Sequence, residues 1–311
     1  MSKTAFIFPG QGSQSIGMLS EMADGFPMVE ATFSEASDVL SYDLWDVVQN
    51  GPDERLGSTE VTQPALLAAG IATWRAWKSL GGSDPDYMAG HSLGEYTALV
   101  AAGSLSFENA IALVARRGEL MQQATPAGSG AMAAVLGLDD DALAEVCVRA
   151  AEGQVVSCAN FNSPGQVVIA GDRDAVGRAC ELATEAGARR AIPLAVSVPS
   201  HCELMRPAAE ALDVVLADIP VEVPAIPVLH NVSTEAAGDP DSIRAALVQQ
   251  LWRPVRWSDT VLKLVGNGVE QFAECGPGKV LAGLNRRISR PSATVALTDP
   301  AALESTLENW S

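Results

Sequence analysis

Apolar positions along the chain follow two rhythms. Short unbroken apolar runs ended by glycine or proline alternate with longer stretches spaced at three and four residues. Thr4-Ala-Phe-Ile-Phe8 is a run of the first kind, closed by Pro9-Gly10, and reads as a buried strand. A helix is expected over Pro64 to Leu80. Tyr87-Met-Ala89 is a second short strand, and it runs into Gly90-His-Ser-Leu-Gly94. Helical sequence resumes at once, over Glu95 to Ala102 and then Phe107 to Ala124. Strand, tight turn and helix in that order predict a parallel α/β sheet.

The texture changes at Thr125-Pro-Ala-Gly-Ser-Gly130, a loop by composition. Beyond it the pattern predicts a strand (Ala131 to Leu136), a helix (Asp139 to Ala151) and two strands (Val155 to Ala159, Gln166 to Ala170) about the turn Asn162-Ser-Pro-Gly165. A second helix (Asp172 to Ala186) and a last strand (Arg190 to Ala195) complete the set. Asp139 and Asp172 are expected to cap the helices, and Gly153 and Gly187 to end them. This β-α-β-β-α-β order is that of a ferredoxin-like unit. Residues 128–197 therefore read as an inserted domain within a larger domain of residues 1–127 and 198–311. Mixed elements follow: a helix from Glu203 to Ala217, a strand from Val228 to Asn231, a helix from Ser242 to Trp252, a strand from Val269 to Ala273, and a helix after Gly276-Pro-Gly278.

Composition narrows the function. The chain has 311 residues, 48% of them hydrophobic, which permits a sizeable core and excludes intrinsic disorder. Asp and Glu number 38 against 20 Lys and Arg, a formal net charge of -18. That balance argues against sequence-independent nucleic-acid binding and against anionic membranes. Any anionic ligand must then meet a local basic patch. The five cysteines form no C-x-x-C pair, and their odd number suits free thiols in a reducing cytoplasm. The N-terminus lacks a signal-peptide pattern and no apolar run is long enough to span a membrane. Three scattered histidines give no metal-ligand spacing, so no metal is expected.

Gly90-His91-Ser92-Leu93-Gly94 fits G-x-S-x-G, in which glycines allow a sharp strand-to-helix turn that lifts the serine clear of the backbone. The helix that follows points its N-terminus, and its unpaired N–H groups, at the site. Ser92 needs a base. His91 is adjacent in sequence and points elsewhere, and His230 lies in an apolar run where a satisfied strand histidine is the ordinary reading. His201, in Val198-Pro-Ser-His-Cys202, is the choice. Cys202 is a rival nucleophile without an evident base. Phe8-Pro-Gly-Gln-Gly-Ser-Gln14 fails the dinucleotide fingerprint, because Ser15 stands where its third glycine belongs. A glycine turn there can instead offer the Gln11 N–H beside that of Leu93 to an oxyanion. Arg117 has two readings at this point: a solvated helix position next to Arg116, or a planar fork for a carboxylate near Ser92.

Together these motifs resemble the malonyl-CoA:acyl carrier protein transacylases, the acyltransferases of fatty-acid and polyketide synthesis. Also matching are Thr62-Gln-Pro-Ala-Leu66, Arg117-Gly-Glu-Leu-Met-Gln122, Asn160-Phe-Asn-Ser-Pro-Gly-Gln166 and Glu274-Cys-Gly-Pro-Gly278, so that the likeness runs from Phe6 to about Ile288. The resemblance implies an α/β-hydrolase-like core carrying a ferredoxin-like insertion. It implies Ser92 as acylated nucleophile, His201 as its base, and the Gln250 backbone carbonyl as the brace of that histidine. It also implies Gln11 and Leu93 as oxyanion hole, Arg117 as receptor of the malonyl carboxylate, and Gln63 and Asn160 as pocket residues. Pro199-Ser200 is similar to the stand-alone fatty-acid form. Malonyl-CoA and acyl carrier protein would be the partners of a cytoplasmic monomer without a cofactor. Both partners are anionic, so Arg189, Arg190, Lys279, Arg286 and Arg287 are expected to flank the cleft mouth. A serine hydrolase and a catalytically silent interaction module are the competing classes; hydrolysis gives no reason for Arg117, and a silent module none for Ser92 and His201 together.

Overall fold

The computed structural model describes residues 2–126, 128–196, 198–290 and 293–310. Two sheets organise it. The larger contains β1 (Lys3–Phe8), β2 (Tyr87–Gly90), β7 (Val228–Leu229), β8 (Val269–Glu274) and β9 (Ala293–Ala296), all parallel, in the order β7-β2-β1-β8-β9. β1 is central and buried on both faces, which is why its sequence is unbroken in hydrophobicity rather than alternating. Phe6 and Phe8 enter the main helical core, while Ala5 and Ile7 pack on the other face against Trp257 and Val261.

The chain steps from β1 to β2 on one side and returns to β8 on the other. The carboxyl ends of these strands therefore open a crevice at a topological switch point, the usual ligand position in such sheets. Three loops meet there: the glycine turn after β1, the turn after β2, and Gly276-Pro-Gly278 after β8. The last leads into the helix Val280–Ile288, whose first turn is held by the Glu274 carboxylate, which accepts from Leu281 N at 3.0 Å and Ala282 N at 2.8 Å.

The smaller sheet is antiparallel and comprises β3 (Gly130–Leu136), β4 (Val156–Ser163), β5 (Gln166–Asp172) and β6 (Arg190–Pro193), in the order β4-β5-β3-β6. With the helices Asp140–Ala151 and Arg173–Glu185 on one face, it is the expected ferredoxin-like unit. Its other face, with Met132, Ala134 and Val168, turns toward the crevice. Residues Ala127 and Ser197, which carry the expected domain boundaries, lie outside the described residues.

Several local expectations need correction. Asp139 and Asp172 stand at the N-cap positions, but neither side chain caps its helix. The Asp172 carboxylate instead accepts from Val155 N at 2.7 Å, tying β4 to the end of β5. The strand at 228 ends at Leu229, because His230 and Asn231 turn toward buried polar partners.

Candidate active site

At the end of β2 the chain reverses through His91 and Ser92 into the helix Leu93–Ala101. Ser92 has φ 51° and ψ −110°, a conformation that costs a non-glycine residue on the order of 1–3 kcal/mol and needs support from its surroundings. Gly94 allows the turn to sit on the end of β1, since a Cβ there would lie 2.0 Å from the Phe8 carbonyl oxygen. Asn231 clamps the turn from both sides: its Oδ1 accepts from Ser92 N at 2.7 Å, and its Nδ2 donates to Gly90 O at 2.6 Å.

The Ser92 hydroxyl lies 2.8 Å from His201 Nε2, and His201 Nδ1 lies 2.6 Å from the Gln250 carbonyl oxygen. A carbonyl only accepts, so Nδ1 carries the ring proton and Nε2 is left to accept from Ser92. His201 is buried. Burial first, and the Arg117 charge second, push it down to about 3, against the opposing bond to Gln250. The imidazole is therefore neutral at physiological pH. Among the described residues no carboxylate braces it; this is a dyad held by a backbone carbonyl. Cys202 donates to Pro199 O at 3.1 Å, and burial pushes its thiol up to about 12, so it is no nucleophile.

Arg117 is only 2% exposed, which excludes the reading of a solvated helix position. Its neighbour Arg116 is the solvated one, paired with Glu119 at 2.7 Å. Gly118 lets the helix Phe107–Gln123 approach the helix Thr59–Ser79, since a Cβ at 118 would lie 2.6 Å from Glu60 Cα. This closeness brings Gln63 Oε1 to 2.6 Å from Arg117 Nη1. Nη2 donates to Gln250 Oε1 at 3.0 Å and reaches Ser92 Oγ at 3.5 Å, while the buried Nε has no partner. Among the described residues no carboxylate comes within 4 Å of this guanidinium. A buried cation without a counter-ion beside a serine hydroxyl keeps hydrogen-bonding and charge capacity that an anionic group can fill.

A cavity of about 300 Å³ opens onto Ser92 and His201. Gln11 and Asn160 line it, as do His91, Asn162, Val198 and Leu284. His91 points away from Ser92, with Nε2 2.8 Å from Asn162 Oδ1. Leu93 opens its helix, so its N–H lacks an intrahelical acceptor, and neither it nor the Gln11 N–H has another partner among the described residues. Among the same residues no group of three or more His, Cys, Asp or Glu side chains is placed to hold a metal ion.

The structure brings together Ser92, His201, Arg117, Gln63 and the Gln250 carbonyl, with Gln63, expected as a pocket residue, set against Arg117 and not along the cavity. The buried polar group behind them has no counterpart among the sequence expectations. Glu95, fully buried, accepts from Asn231 N at 2.9 Å and Gln250 Nε2 at 2.8 Å, and its Oε1 lies 2.7 Å from His230 Nδ1. The one available signal was a glutamate at the start of an otherwise apolar helix.

Comparison with known proteins agrees with this geometry. The acyl transferase domain family matches residues 5–296. The malonyl CoA-acyl carrier protein transacylase of Salmonella typhimurium is 55% identical over 307 residues, covering 99% of both chains. The Bacillus subtilis transacylase is 48% identical, over 98% of this chain and 96% of its own. Among solved structures, a malonyl-transacylase in complex with its type II polyketide acyl-carrier protein superposes with TM-score 0.98 at 55% identity, over 99% of this chain and 100% of that one. The Coxiella burnetii transacylase gives TM-score 0.98 at 49% identity, over 99% and 97%. This chain belongs to the malonyl-CoA:acyl carrier protein transacylase family.

Proposed function

We infer that this enzyme transfers malonyl from malonyl-CoA to the pantetheine thiol of acyl carrier protein, supplying extender units for fatty-acid synthesis. The observation that carries this reading is the buried, counter-ion-free Arg117 within reach of the Ser92 hydroxyl. His201 Nε2 takes the proton from Ser92 Oγ as the oxygen attacks the thioester carbonyl. The N–H groups of Gln11 and Leu93 receive the oxyanion. Collapse breaks the C–S bond, and the CoA sulfur leaves with the proton from His201. The carrier protein's thiol then gives its proton to His201 and attacks the malonyl-serine ester, which returns the serine hydroxyl. Arg117 holds the free carboxylate in both halves and so fixes the acyl carbonyl near the attacking atom. Gln63 supports Arg117, and Asn160 lines the acyl cavity.

The basic residues form a local receiving edge despite the acidic whole. Arg190 pairs with Leu136, and Leu136 with Gln166, in one row across the small sheet. Gln166 lines the cavity and accepts from Arg287 Nη1. Arg189 packs over Gly137 beside this row, and Arg286 and Lys279 belong to or precede the same helix as Arg287. Among the described residues these cations form no ion pair with a carboxylate. They receive CoA phosphates and the acidic carrier protein. Among the described residues no helix is long and apolar enough to cross a membrane, and the free cysteines suit the cytoplasm.

The decisive assay follows release of CoA with and without carrier protein. A transacylase releases CoA in one stoichiometric burst alone and turns over only with the carrier thiol. Steady release of free malonate without it would instead establish a hydrolase.

A further inference from the structure

We propose that Glu95 is a positioning residue that sets malonyl selectivity through the side chain of Gln250. The proposal rests on the reading of Arg117 as carboxylate receptor and adds what holds that receptor in place. Gln250 has two separable roles in this geometry. Its backbone carbonyl braces His201, and its side-chain amide spans the space between Glu95 and Arg117.

An amide can turn over, exchanging its oxygen and nitrogen at almost no change in shape, so its neighbours decide its orientation. Gln250 Nε2 lies 2.8 Å from Glu95 Oε2 and 2.9 Å from the Ser92 carbonyl oxygen, both of which accept. On the opposite side Oε1 lies 3.0 Å from Arg117 Nη2, which only donates. Glu95 is fixed in turn, with Asn231 N donating to the same Oε2 and His230 Nδ1 beside Oε1. The carboxylate thus keeps the Gln250 nitrogen on its own side and the oxygen on that of Arg117. Gln63 and Gln250 then hold one nitrogen each of the guanidinium, and they direct Nη2 toward Ser92. Glu95 also places a negative charge behind Arg117 without direct contact. The guanidinium is thereby drawn into the site while its unpaired capacity is kept for the substrate.

Glu95→Gln keeps the shape but replaces one acceptor oxygen by a donor. Where that donor takes the place of Oε2 it opposes Gln250 Nε2, donor against donor; the Gln250 side chain keeps the Ser92 carbonyl as its close acceptor, shifts away from residue 95, and loses its hold on Arg117 Nη2 near Ser92. Acetyl-CoA has no carboxylate and does not use Arg117, so it reports on the dyad alone. The test measures kcat/KM for malonyl-CoA and acetyl-CoA with Glu95→Gln, Gln250→Met and the double variant, with Arg117→Ala as control. Gln250→Met removes the amide and keeps the backbone carbonyl. Each single variant should lower the malonyl-to-acetyl ratio at least tenfold, and the double variant should be no less selective than Gln250→Met by more than twofold. If Glu95→Gln does not fold, Glu95→Asp, one methylene shorter, takes its place with the same expectation. A general structural role would lower both transfers by one factor. An unchanged ratio in the single variants, or losses that multiply in the double, would overturn the relay. An unchanged ratio in Arg117→Ala would instead overturn the receptor reading on which it stands.

Discussion

The Arg117 Nη2 atom lies 3.5 Å from the Ser92 hydroxyl, with no carboxylate near the guanidinium among the described residues. A cation so placed is hydrogen-bonded to Gln63 and Gln250 but has no counter-ion in contact until the substrate carboxylate arrives, and leaving a buried charge unpaired costs about 3–5 kcal/mol. Arg117→Ala should therefore lower kcat/KM for malonyl-CoA at least a hundredfold while acetyl transfer gains relative to it. Parallel steady-state assays with the two thioesters check this. An intact malonyl preference would remove Arg117 from its role.

His201 gives a pH prediction. Burial and the Arg117 charge push its pKa down to about 3, so it loses its proton well below the usual histidine value. A base must be neutral to act, and this one is neutral above that pH. The acid limb of kcat/KM for malonyl-CoA should accordingly lie below about pH 5, where an unperturbed histidine would place it near 6.5. A limb at 6.5 in a pH–rate profile would show that the imidazole is more hydrated than its surroundings imply. The same depression affects stability. Below about pH 6.5 the unfolded chain takes a proton that the folded His201 refuses, so this group makes folding less favourable as pH falls toward 3.

Gly94→Ala tests the elbow. The added Cβ would sit 2.0 Å from the Phe8 carbonyl oxygen, with backbone on both sides and no flexible side chain to yield. Thermal unfolding should show a loss of several degrees, and Ser92 acylation should fall by more than tenfold even in the fraction that folds. A variant with native stability and full burst amplitude would mean that the turn can retreat from β1.

Arg287→Glu tests the basic edge. Its guanidinium binds Gln166 at the cavity rim, and reversing its charge should raise KM for the carrier protein several-fold. The dependence of that KM on salt should weaken, because a charge-steered encounter loses its steering. Acylation by malonyl-CoA should suffer less. An unchanged KM and salt dependence would place carrier docking elsewhere.

What could be read from the chain follows the range of the interactions. The strand–elbow–helix around Ser92 and the six-element insertion are local patterns, and their physical causes lie within a few residues of each other. Spacing alone leaves Arg117 between two readings, since it does not say which face of the helix meets another helix; the family resemblance favours the receptor, and burial excludes the solvated reading. His230 and Glu95 are 135 residues apart and look like a strand histidine and a helix-start glutamate. Their partnership exists only after the chain after β7 folds back behind the elbow. Asp139 and Asp172 carry the composition of helix caps, yet Asp172 serves the Val155 amide instead, a tertiary partner that no local rule anticipates. Gln250 entered through its backbone alone; its side chain mattered once Arg117 and Glu95 were seen on opposite sides of it.

Intact-mass spectrometry after mixing the protein with malonyl-CoA tests the central claim most directly. The account predicts one malonyl adduct per chain, absent in Ser92→Ala, discharged promptly by acyl carrier protein and only slowly by water. An adduct that persists in Ser92→Ala, or that water removes as fast as the carrier protein does, would contradict it.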